Sequence, residues 1–435
     1  DVIPDKYFML LVATCYIVTI ITDIFLFISS DNIVFKLFKG LAYIVTILMI
    51  VGYSCGIYYL NKTTHFMNNL NTIKKEITSY YIIVMKESKY DEISDLYGKN
   101  LTYYEGTSQE VLSKIRLELN YSTVKNIDSL KDRLYTAKTD SILVSDLIKE
   151  DLEEKYTDFS ERTRVLKTID ITKDVEDITK KVKNTSFNVL ISGMDSYGTI
   201  NKTTRNDVNM IATINPNTNK VLLTSIPRDY YVQLHGKTGY KDKLTHAGIY
   251  GINTVVQTIE DLLNYYVRVN FTTVESLVNT IGPIEIYSDK AMSLDGCKYV
   301  VGTNTVNGKC ALRFARERHS YVEGDNHRIK NQQEVIKGIF NKLSKSAMVV
   351  TDYTSILDSL DGKFATNMDM KDITAFIKYE LEDITKYEIL DTQVTGTGSM
   401  ELTYSYPHQK LYVMFPSEQS VESAKEYINK ISNEK

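Results

Sequence analysis

Two aspartates flank apolar stretches that are typical of buried strands. Asp195 directly follows the run Asn188–Met194, and Asp207 precedes a second run at Val208–Ile214. Open α/β sheets bind their ligands at the carboxyl ends of strands. Two carboxylates that meet at such an edge can share Mg²⁺, which takes one or two carboxylates together with phosphate oxygens and waters. The alternative is that both aspartates only cap turns, and spacing alone favours it.

Arginines stand at the ends of the elements predicted around these aspartates. Arg228 follows Pro227 in the turn after a third apolar run, and Arg316 and Arg318 lie two positions apart. Guanidinium groups bind phosphate oxygens through paired, charge-assisted hydrogen bonds. Arg316 and Arg318 can face one pocket only if their helix ends near Ala315, because residues two apart lie on different sides of a helix.

A long predicted helix begins at Asp325 and carries two further polar candidates. Arg328 and Gln332 lie one helical turn apart, on the same face. Together with the arginines before them, they are suited to binding a phosphate group at several points. For any single arginine the alternative is a solvated surface position, and Arg313 is assigned to that class.

The elements that must position these residues alternate between strands and helices. The run of strands and helices after residue 186 predicts a central mixed sheet with helices on both faces. Before it, residues 79–173 predict a smaller α/β module, interpreted as a spacer. The predicted strands are 80–84, 101–104, 141–144, 187–192, 208–214, 221–225, 284–286 and 411–415. The predicted helices are 109–119, 127–137, 249–266, 272–281, 325–346, 371–384 and 418–431.

Two apolar segments at the start of the chain are each long enough to cross a bilayer as a helix. They are Tyr7–Ile28 and Leu41–Leu60, joined by a loop at Ser29–Gly40. Because that loop carries Lys36 and Lys39, the positive-inside rule places it in the cytoplasm. Everything after Leu60 is then extracytoplasmic, where nucleoside triphosphates and nicotinamides are not readily supplied.

Length and charge set further limits. The 435 residues divide into a membrane hairpin (1–61), a stalk with the α/β module and a linker (62–183), and a larger α/β domain (184–435). The formal net charge of −4 provides no basic field, so a nucleic-acid partner is not expected. Of the four cysteines, Cys297 and Cys310 lie in the extracytoplasmic part, where they either form a disulfide or remain free thiols.

Several blocks of the last domain, in order along the chain, resemble the LytR-CpsA-Psr family. These blocks are Asp195 with Arg205-x-Asp207, Ser225–Asp229, Lys243–Gly251, and Arg316-x-Arg318 with Gly324-Asp325, Arg328 and Gln332. The similarity covers about Ser186–Ser346. The membrane hairpin and the α/β module resemble the capsule-type, CpsA-like branch.

The resemblance implies a phosphotransferase that moves a glycopolymer, here a capsular polysaccharide, from a polyprenyl-pyrophosphate carrier to a peptidoglycan sugar hydroxyl. It implies that Asp195 and Asp207 hold Mg²⁺ (or Mn²⁺). It also implies a pyrophosphate site and a catalytic group. The pyrophosphate ligands would be Arg205, Arg228, Arg316, Arg318, Arg328 and Gln332; the catalytic group would be Asp325, as base or support, with Arg316 and Arg318.

The implied setting is the membrane of a Gram-positive type cell, with the catalytic part outside. Besides the carrier, peptidoglycan and the lipid membrane, capsule-assembly membrane proteins are candidate partners. Two other functions remain open: a polyprenyl-pyrophosphate phosphatase, and a membrane-bound regulator of capsule synthesis. If the aspartates only hold metal, replacing either by alanine should abolish metal-dependent activity and leave the fold intact.

Overall fold

The structure is a computed structural model, and it describes most of the chain. The described residues are 5–27, 32–69, 73–115, 117–178, 186–259, 263–321, 324–344, 353–369, 371–373, 375 and 387–435.

The chain begins with two long apolar helices, α1 (Asp5–Phe27) and α2 (Ile33–Asn69), which pack against each other. Within them, Met9–Phe27 and Ile33–Phe66 are long and apolar enough to cross a membrane, with mean hydropathies of 2.3 and 2.0. Only 6% of each segment is buried inside the protein. Helices this apolar and this exposed indicate membrane anchoring.

The prediction of a connecting loop at Ser29–Gly40 is wrong at its carboxyl end. Helix α2 already begins at Ile33, where the Asn32 side chain accepts a hydrogen bond from the Val34 amide at 2.9 Å. An asparagine at this position satisfies an amide that the first turn leaves unpaired, and it thereby favours a helix start. Lys36 and Lys39 therefore lie on the first turns of α2.

A five-stranded sheet follows, in the order β3-β2-β4-β1-β5. Strands β3, β2 and β4 are parallel, and β1 pairs antiparallel with β4 and β5. The strands are β1 (Lys75–Met85), β2 (Asn100–Tyr104), β3 (Asn120–Val124), β4 (Ser141–Ser145) and β5 (Thr163–Asp174). The helices are α3 (Gln109–Lys114), α4 (Ile127–Tyr135), α5 (Asp146–Lys155) and α6 (Phe159–Arg162), with a 3-10 turn at Ile93–Leu96. We call residues 75–174 the upstream module. Strands β3 and β5 and helices α5 and α6 were not predicted, and α3 is shorter than the predicted helix.

The second sheet has six strands in the order β16-β11-β6-β7-β8-β17. It is mixed, because β11 pairs parallel with β6 and β17 parallel with β8, while β6, β7 and β8 are antiparallel. Its strands are β6 (Phe187–Met194), β7 (Asn206–Asn215), β8 (Lys220–Ile226), β11 (Tyr265–Val269), β16 (Ala365–Thr366) and β17 (Glu388–Gln393). This is the mixed sheet that the sequence predicts, including the β7–β8 hairpin.

Smaller strands and the remaining helices surround this sheet. The strands are β9 (Tyr231–Val232), β10 (Asp242–Lys243), β12 (Ile284–Ser288), β13 (Met292–Leu294), β14 (Cys297–Tyr299), β15 (Gly302–Val306), β18 (Gly396–Leu402) and β19 (Lys410–Pro416). The helices are a 3-10 segment (Leu244–Tyr250), α7 (Ile252–Ile259), α8 (Phe271–Ile281), α9 (Gly308–Arg316), α10 (Asp325–Ser344), α11 (Tyr353–Leu360) and α12 (Glu418–Asn433).

Alternating side chains give the six-stranded sheet two apolar faces. Leu190, Ile211 and Leu222 pack on one face against residues of α7 and α12. Their neighbours in the strands, such as Val189 and Ala212, point to the opposite face, as the two-residue repeat of a strand requires. That opposite face is covered by α8, α9 and α10, with a cavity between them and the sheet.

The helix predicted over 371–384 lies almost wholly outside the described residues.

The prediction of one helix over Ile249–Tyr266 is wrong. Gly251, with φ of 111°, separates the 3-10 segment from α7, which ends at Ile259. The residues from Tyr265 onward instead form β11 beside β6. A buried strand in a parallel pair is apolar on both faces, so its sequence does not distinguish it from a continuing helix.

Cys297 and Cys310 are joined by a disulfide across 13 positions. Replacing both by alanine should lower the free energy of unfolding by about 3 kcal/mol, because an open chain of this length gains that much conformational freedom on unfolding. Urea unfolding followed by tyrosine fluorescence measures the change, since the chain has 32 Tyr and no Trp. Reduced wild-type protein is the control and should match the variant; equal midpoints for oxidised wild type and variant would contradict the prediction.

Candidate functional site

A cavity of about 990 Å³ lies between the six-stranded sheet and helices α8, α9 and α10. Most of its wall is aliphatic or aromatic. The sheet contributes Phe187, Val189, Ile191, Ala212, Ile214, Val267 and Val269, and the helices contribute Val274, Leu277, Leu312, Val335, Ile336, Ile339 and Phe340. Ligand pockets usually occupy about 300–1,000 Å³, so this cavity is at the upper end of the range.

One end of the cavity is polar, and it contains most of the site residues predicted from the sequence. Asp195, Arg205, Asp207, Arg228, Arg316, Arg318, Arg328 and Gln332 all line it. Asp325 begins α10, but its side chain lies outside the described residues. The structure therefore brings together a carboxylate pair and arginines that span more than a hundred positions of the sequence, from Asp195 to Arg328.

Antiparallel pairing places the first members of this group side by side. Asp195 follows the end of β6, and Asp207 lies at the start of β7, which pairs with it. Arg228 follows the end of β8, whose last residue, Ile226, lies opposite Asn209 of β7. The end of β6, the start of β7 and the end of β8 therefore lie next to each other at one edge of the sheet.

Asp207 is the centre of the polar end. Its Oδ2 accepts hydrogen bonds from Arg228 Nη1 at 2.6 Å and from Arg328 Nη1 at 3.4 Å, and its Oδ1 accepts one from Thr245 Oγ1 at 2.9 Å. Burial alone would favour the protonated form, but Arg228, Arg328 and Arg205 hold the pKa of Asp207 well below its usual range. The carboxylate is consequently ionised and nearly enclosed, with its side chain 8% exposed.

Asp195 is held less tightly. Its Oδ1 lies 3.5 Å from Arg316 Nη2, and the Arg316 guanidinium stacks over the Phe271 ring at 4.1 Å from the ring centre. Burial and the negative charge of Asp207 raise the pKa of Asp195, although Arg316 opposes the shift. Helix α9 ends at Arg316, which allows both Arg316 and Arg318 to face the cavity.

A separate group of acidic residues, which was not predicted from the sequence, lies on helix α5 of the upstream module. Arg205 Nε is 3.0 Å from Glu150 Oε2, and its Nη1 is 3.3 Å from both Asp151 Oδ1 and Glu154 Oε2. Arg318 Nη2 is 2.5 Å from Glu154 Oε1. Arg205 is therefore already partnered by carboxylates of the protein.

Other residues in or near the cavity were also missed or assigned differently. Arg313, interpreted as a surface residue, lines the cavity and pairs with Asp295. Thr245 lies in the predicted Lys243–Gly251 block but was given no role. His246 is buried and its Nδ1 lies 2.7 Å from Asp242 Oδ1, which favours a structural role over contact with a substrate.

The expectation that alanine at either aspartate would leave the fold intact does not suit Asp207. This carboxylate compensates two buried guanidinium groups, and removing one partner of a buried ion pair is strongly destabilising. Asp195 has a longer contact and a more exposed partner, because the Arg316 side chain is 48% exposed. The two aspartates thus differ in how far they support the structure.

The mixed sheet, the apolar cavity and its carboxylates and arginines also occur together with sequence similarity to a known family. The LytR_cpsA_psr family model matches residues 152–425, and the chain belongs to this family. The polyisoprenyl-teichoic acid–peptidoglycan teichoic acid transferase TagU of Enterococcus faecalis is 32% identical over 228 residues, which are 51% of this chain and 73% of that protein. TagU of Bacillus subtilis is 33% identical over 225 residues, 50% of this chain and 71% of that protein.

Solved structures also match more than half of the chain. The crystal structure of B. subtilis TagU has a TM-score of 0.45 at 28% identity, covering 58% of this chain and 99% of that one. The crystal structure of B. subtilis TagV has a TM-score of 0.48 at 24% identity, with the same two coverages.

Proposed function

We propose that this protein transfers a glycopolymer from a polyprenyl-pyrophosphate carrier to a hydroxyl group of peptidoglycan and forms a phosphodiester. Membership of the family makes the chain an enzyme of the transferase class. The observation that supports the proposal is one cavity whose wall is mostly apolar and which is also lined by several arginines. A lipid pyrophosphate has the same two parts, an apolar tail and a compact polyanion.

In this reaction the acceptor hydroxyl oxygen forms a bond to the phosphorus that carries the glycopolymer. The bond between that phosphorus and the bridging oxygen breaks, and polyprenyl phosphate leaves with the electron pair. The proton of the acceptor hydroxyl passes to a base, and we propose Asp325 for this role because of the family resemblance. Catalysis of phosphoryl transfer depends mainly on positioning and charge neutralisation, which Arg228, Arg316, Arg318 and Arg328 can supply at this end of the cavity.

The carboxylates fit a divalent cation, which we propose to be Mg²⁺ or Mn²⁺. Asp207 raises the pKa of Asp195, and a cation between them would relieve this repulsion. The described residues contain no group of three or more His, Cys, Asp or Glu side chains able to hold a metal, so phosphate oxygens and waters would complete the shell. Asp195 would bind directly, whereas Asp207, whose oxygens already accept hydrogen bonds, would act directly or through water. The cation would neutralise phosphate charge.

The polymer is proposed to be capsular polysaccharide, because the membrane hairpin and upstream module resemble capsule-type proteins. The relatives TagU are named for teichoic acid, so a teichoic-acid donor is the comparison substrate for any assay. Capsule-assembly proteins of the same membrane are proposed partners.

The catalytic part is proposed to lie outside the membrane of a Gram-positive type cell. A cysteine introduced at the exposed Ser423 of α12 should then react with a membrane-impermeant maleimide on intact cells. The matched control is Ser30→Cys, between the two apolar helices, which should react only after permeabilisation. Protection at position 423 and labelling at position 30 would reverse the topology.

Binding of lipid pyrophosphates tests the site itself. Farnesyl pyrophosphate should bind more tightly than inorganic pyrophosphate, because its tail buries apolar surface in the cavity at about 25 cal/mol per Å². Calorimetry on the full chain in detergent measures the two affinities. Farnesol, which has the tail but no charge, is the control that separates the contribution of the tail from that of the pyrophosphate. Equal affinities for farnesyl and inorganic pyrophosphate would argue against a lipid carrier.

A further inference from the structure

We infer that the upstream module completes the active site, and that Glu154 of α5 is a positioning residue for Arg318. The inference rests on the proposed function and deepens it. It replaces the interpretation of the module as a spacer, and it gives Arg205 a different role from direct pyrophosphate binding.

Glu154 is the residue of the upstream module that reaches the cavity wall. Its two oxygens contact different arginines: Oε1 lies 2.5 Å from Arg318 Nη2, and Oε2 lies 3.3 Å from Arg205 Nη1. Its side chain is 44% exposed, and it lines the same cavity as Asp195 and Asp207. A carboxylate that bridges two guanidinium groups fixes the direction of both.

Two neighbouring acidic residues of α5 also contact Arg205. Glu150 and Asp151 approach its guanidinium at 3.0 and 3.3 Å, and the Arg205 side chain is only 12% exposed. These acidic partners occupy Nε and Nη1 of Arg205, which leaves fewer donors for a phosphate. Arg205 is therefore better explained as the centre that holds Glu154 in place.

The charges of the acidic residues also separate their roles. Burial raises the pKa of Glu150 to about 8, although Arg205 opposes the shift. For Glu154, burial acts in the same direction, but the hydrogen bond from Arg318 and the charge of Arg205 lower the pKa below its usual value. At neutral pH, Glu154 therefore presents a negative charge to Arg318.

The contact between module and catalytic domain is built from several elements. Backbone hydrogen bonds of 2.9 Å join Ile77 of β1 to Asn201 and to Thr203, in the segment that carries Arg205. Tyr406, from the loop between β18 and β19, packs into the core of the module and bonds to Asp151. Side chains whose backbone and neighbours are fixed in this way are suited to holding a catalytic group in place.

The negative charge of Glu154 could also have the opposite effect on the pyrophosphate site. A carboxylate beside bound phosphates repels them, so removing it would strengthen phosphate binding if it had no orienting role. The two explanations predict changes of opposite sign, and a conservative variant separates them.

The experiment compares Glu154→Gln with Glu153→Gln in the full chain reconstituted in detergent. Glu153 lies on the same helix but bonds to Lys149 and Ser160. Glu154→Gln should lower kcat/KM for transfer about tenfold, mostly through kcat, with an unchanged thermal midpoint, since coupled neighbours interact by about 0.5–3 kcal/mol. Glu153→Gln should match wild type.

A double-mutant cycle shows whether Glu154 acts through Arg318. Once Arg318→Gln has removed the partner, adding Glu154→Gln should change kcat/KM less than about twofold. Full additivity of the two losses, an unaltered Glu154→Gln enzyme, or tighter binding of inorganic pyrophosphate by Glu154→Gln would each overturn the inference. If wild-type protein shows no transfer and no pyrophosphate binding, the proposed function itself fails, and the inference fails with it.

Discussion

Asp207→Ala is expected to lower the free energy of unfolding by about 3–5 kcal/mol at neutral pH, the usual cost of removing one partner from a buried ion pair. The loss follows from the position of Asp207 between Arg228 and Arg328, whose guanidinium groups would remain buried without their counter-charge. Urea unfolding of the variant and the wild type at pH 7 measures the difference.

The pH dependence of the same measurement gives a second test of this ion pair. The folded pKa of Asp207 lies well below its unfolded value of about 3.9, so its stabilising contribution is complete above that pH and is lost as the pH falls further. The stabilities of wild type and variant should therefore converge in acid. A constant difference down to strongly acidic pH would contradict the role given to the carboxylate.

Asp195→Asn is the matched control, because Asp195 has a single longer contact to a half-exposed arginine. This variant should keep the stability of the wild type and lose metal-dependent transfer. Transfer by Asp195→Asn at the wild-type rate, in the presence of a chelator, would contradict the metal assignment.

Arg228→Lys and Arg328→Lys are each expected to reduce transfer about 100-fold, the typical cost of losing one preorganised donor at a site of developing charge. Both guanidinium groups are oriented by Asp207 at the polar end of the cavity. Lysine keeps the charge but cannot form the paired, planar contacts of a guanidinium group. Initial rates of transfer from a lipid-linked glycopolymer to peptidoglycan measure the effect.

The control for these variants is Arg162→Lys, on the surface of the upstream module. Arg162 is 48% exposed, pairs with Asp158 at 3.5 Å and does not line the cavity. Its replacement should leave the transfer rate unchanged. Wild-type rates for Arg228→Lys and Arg328→Lys would mean that charge alone is sufficient and would contradict the prediction, and losses of similar size in all three variants would mean that the substitutions act without a specific site.

Sequence patterns predicted the parts of the fold that depend on local chemistry. The turn at Asn215–Asn219 between two apolar runs predicts the β7–β8 hairpin, and the apolar stripes predict α8 and α10. Aspartates and arginines at element ends were correctly expected near one sheet edge, because strand ends converge there. The roles of these residues remain predictions.

Features that depend on distant contacts were not accessible in this way. The acidic residues of α5 lie about fifty positions before Arg205, and an ordinary solvated helix has the same sequence pattern. Similarly, Tyr265–Val269 forms a strand only because β6 is available beside it. Both the contact between α5 and Arg205 and the formation of β11 depend on segments that are distant in sequence, and local periodicity does not indicate such contacts.

The most direct test of the account is product analysis with a polyprenyl-pyrophosphate-linked polysaccharide and purified peptidoglycan. A transferase should release polyprenyl monophosphate in an amount equal to the polysaccharide joined to peptidoglycan through a phosphodiester, and should release little when peptidoglycan is omitted. Free polysaccharide phosphate, formed at the same rate with or without peptidoglycan, would contradict it and would identify the protein as a phosphatase.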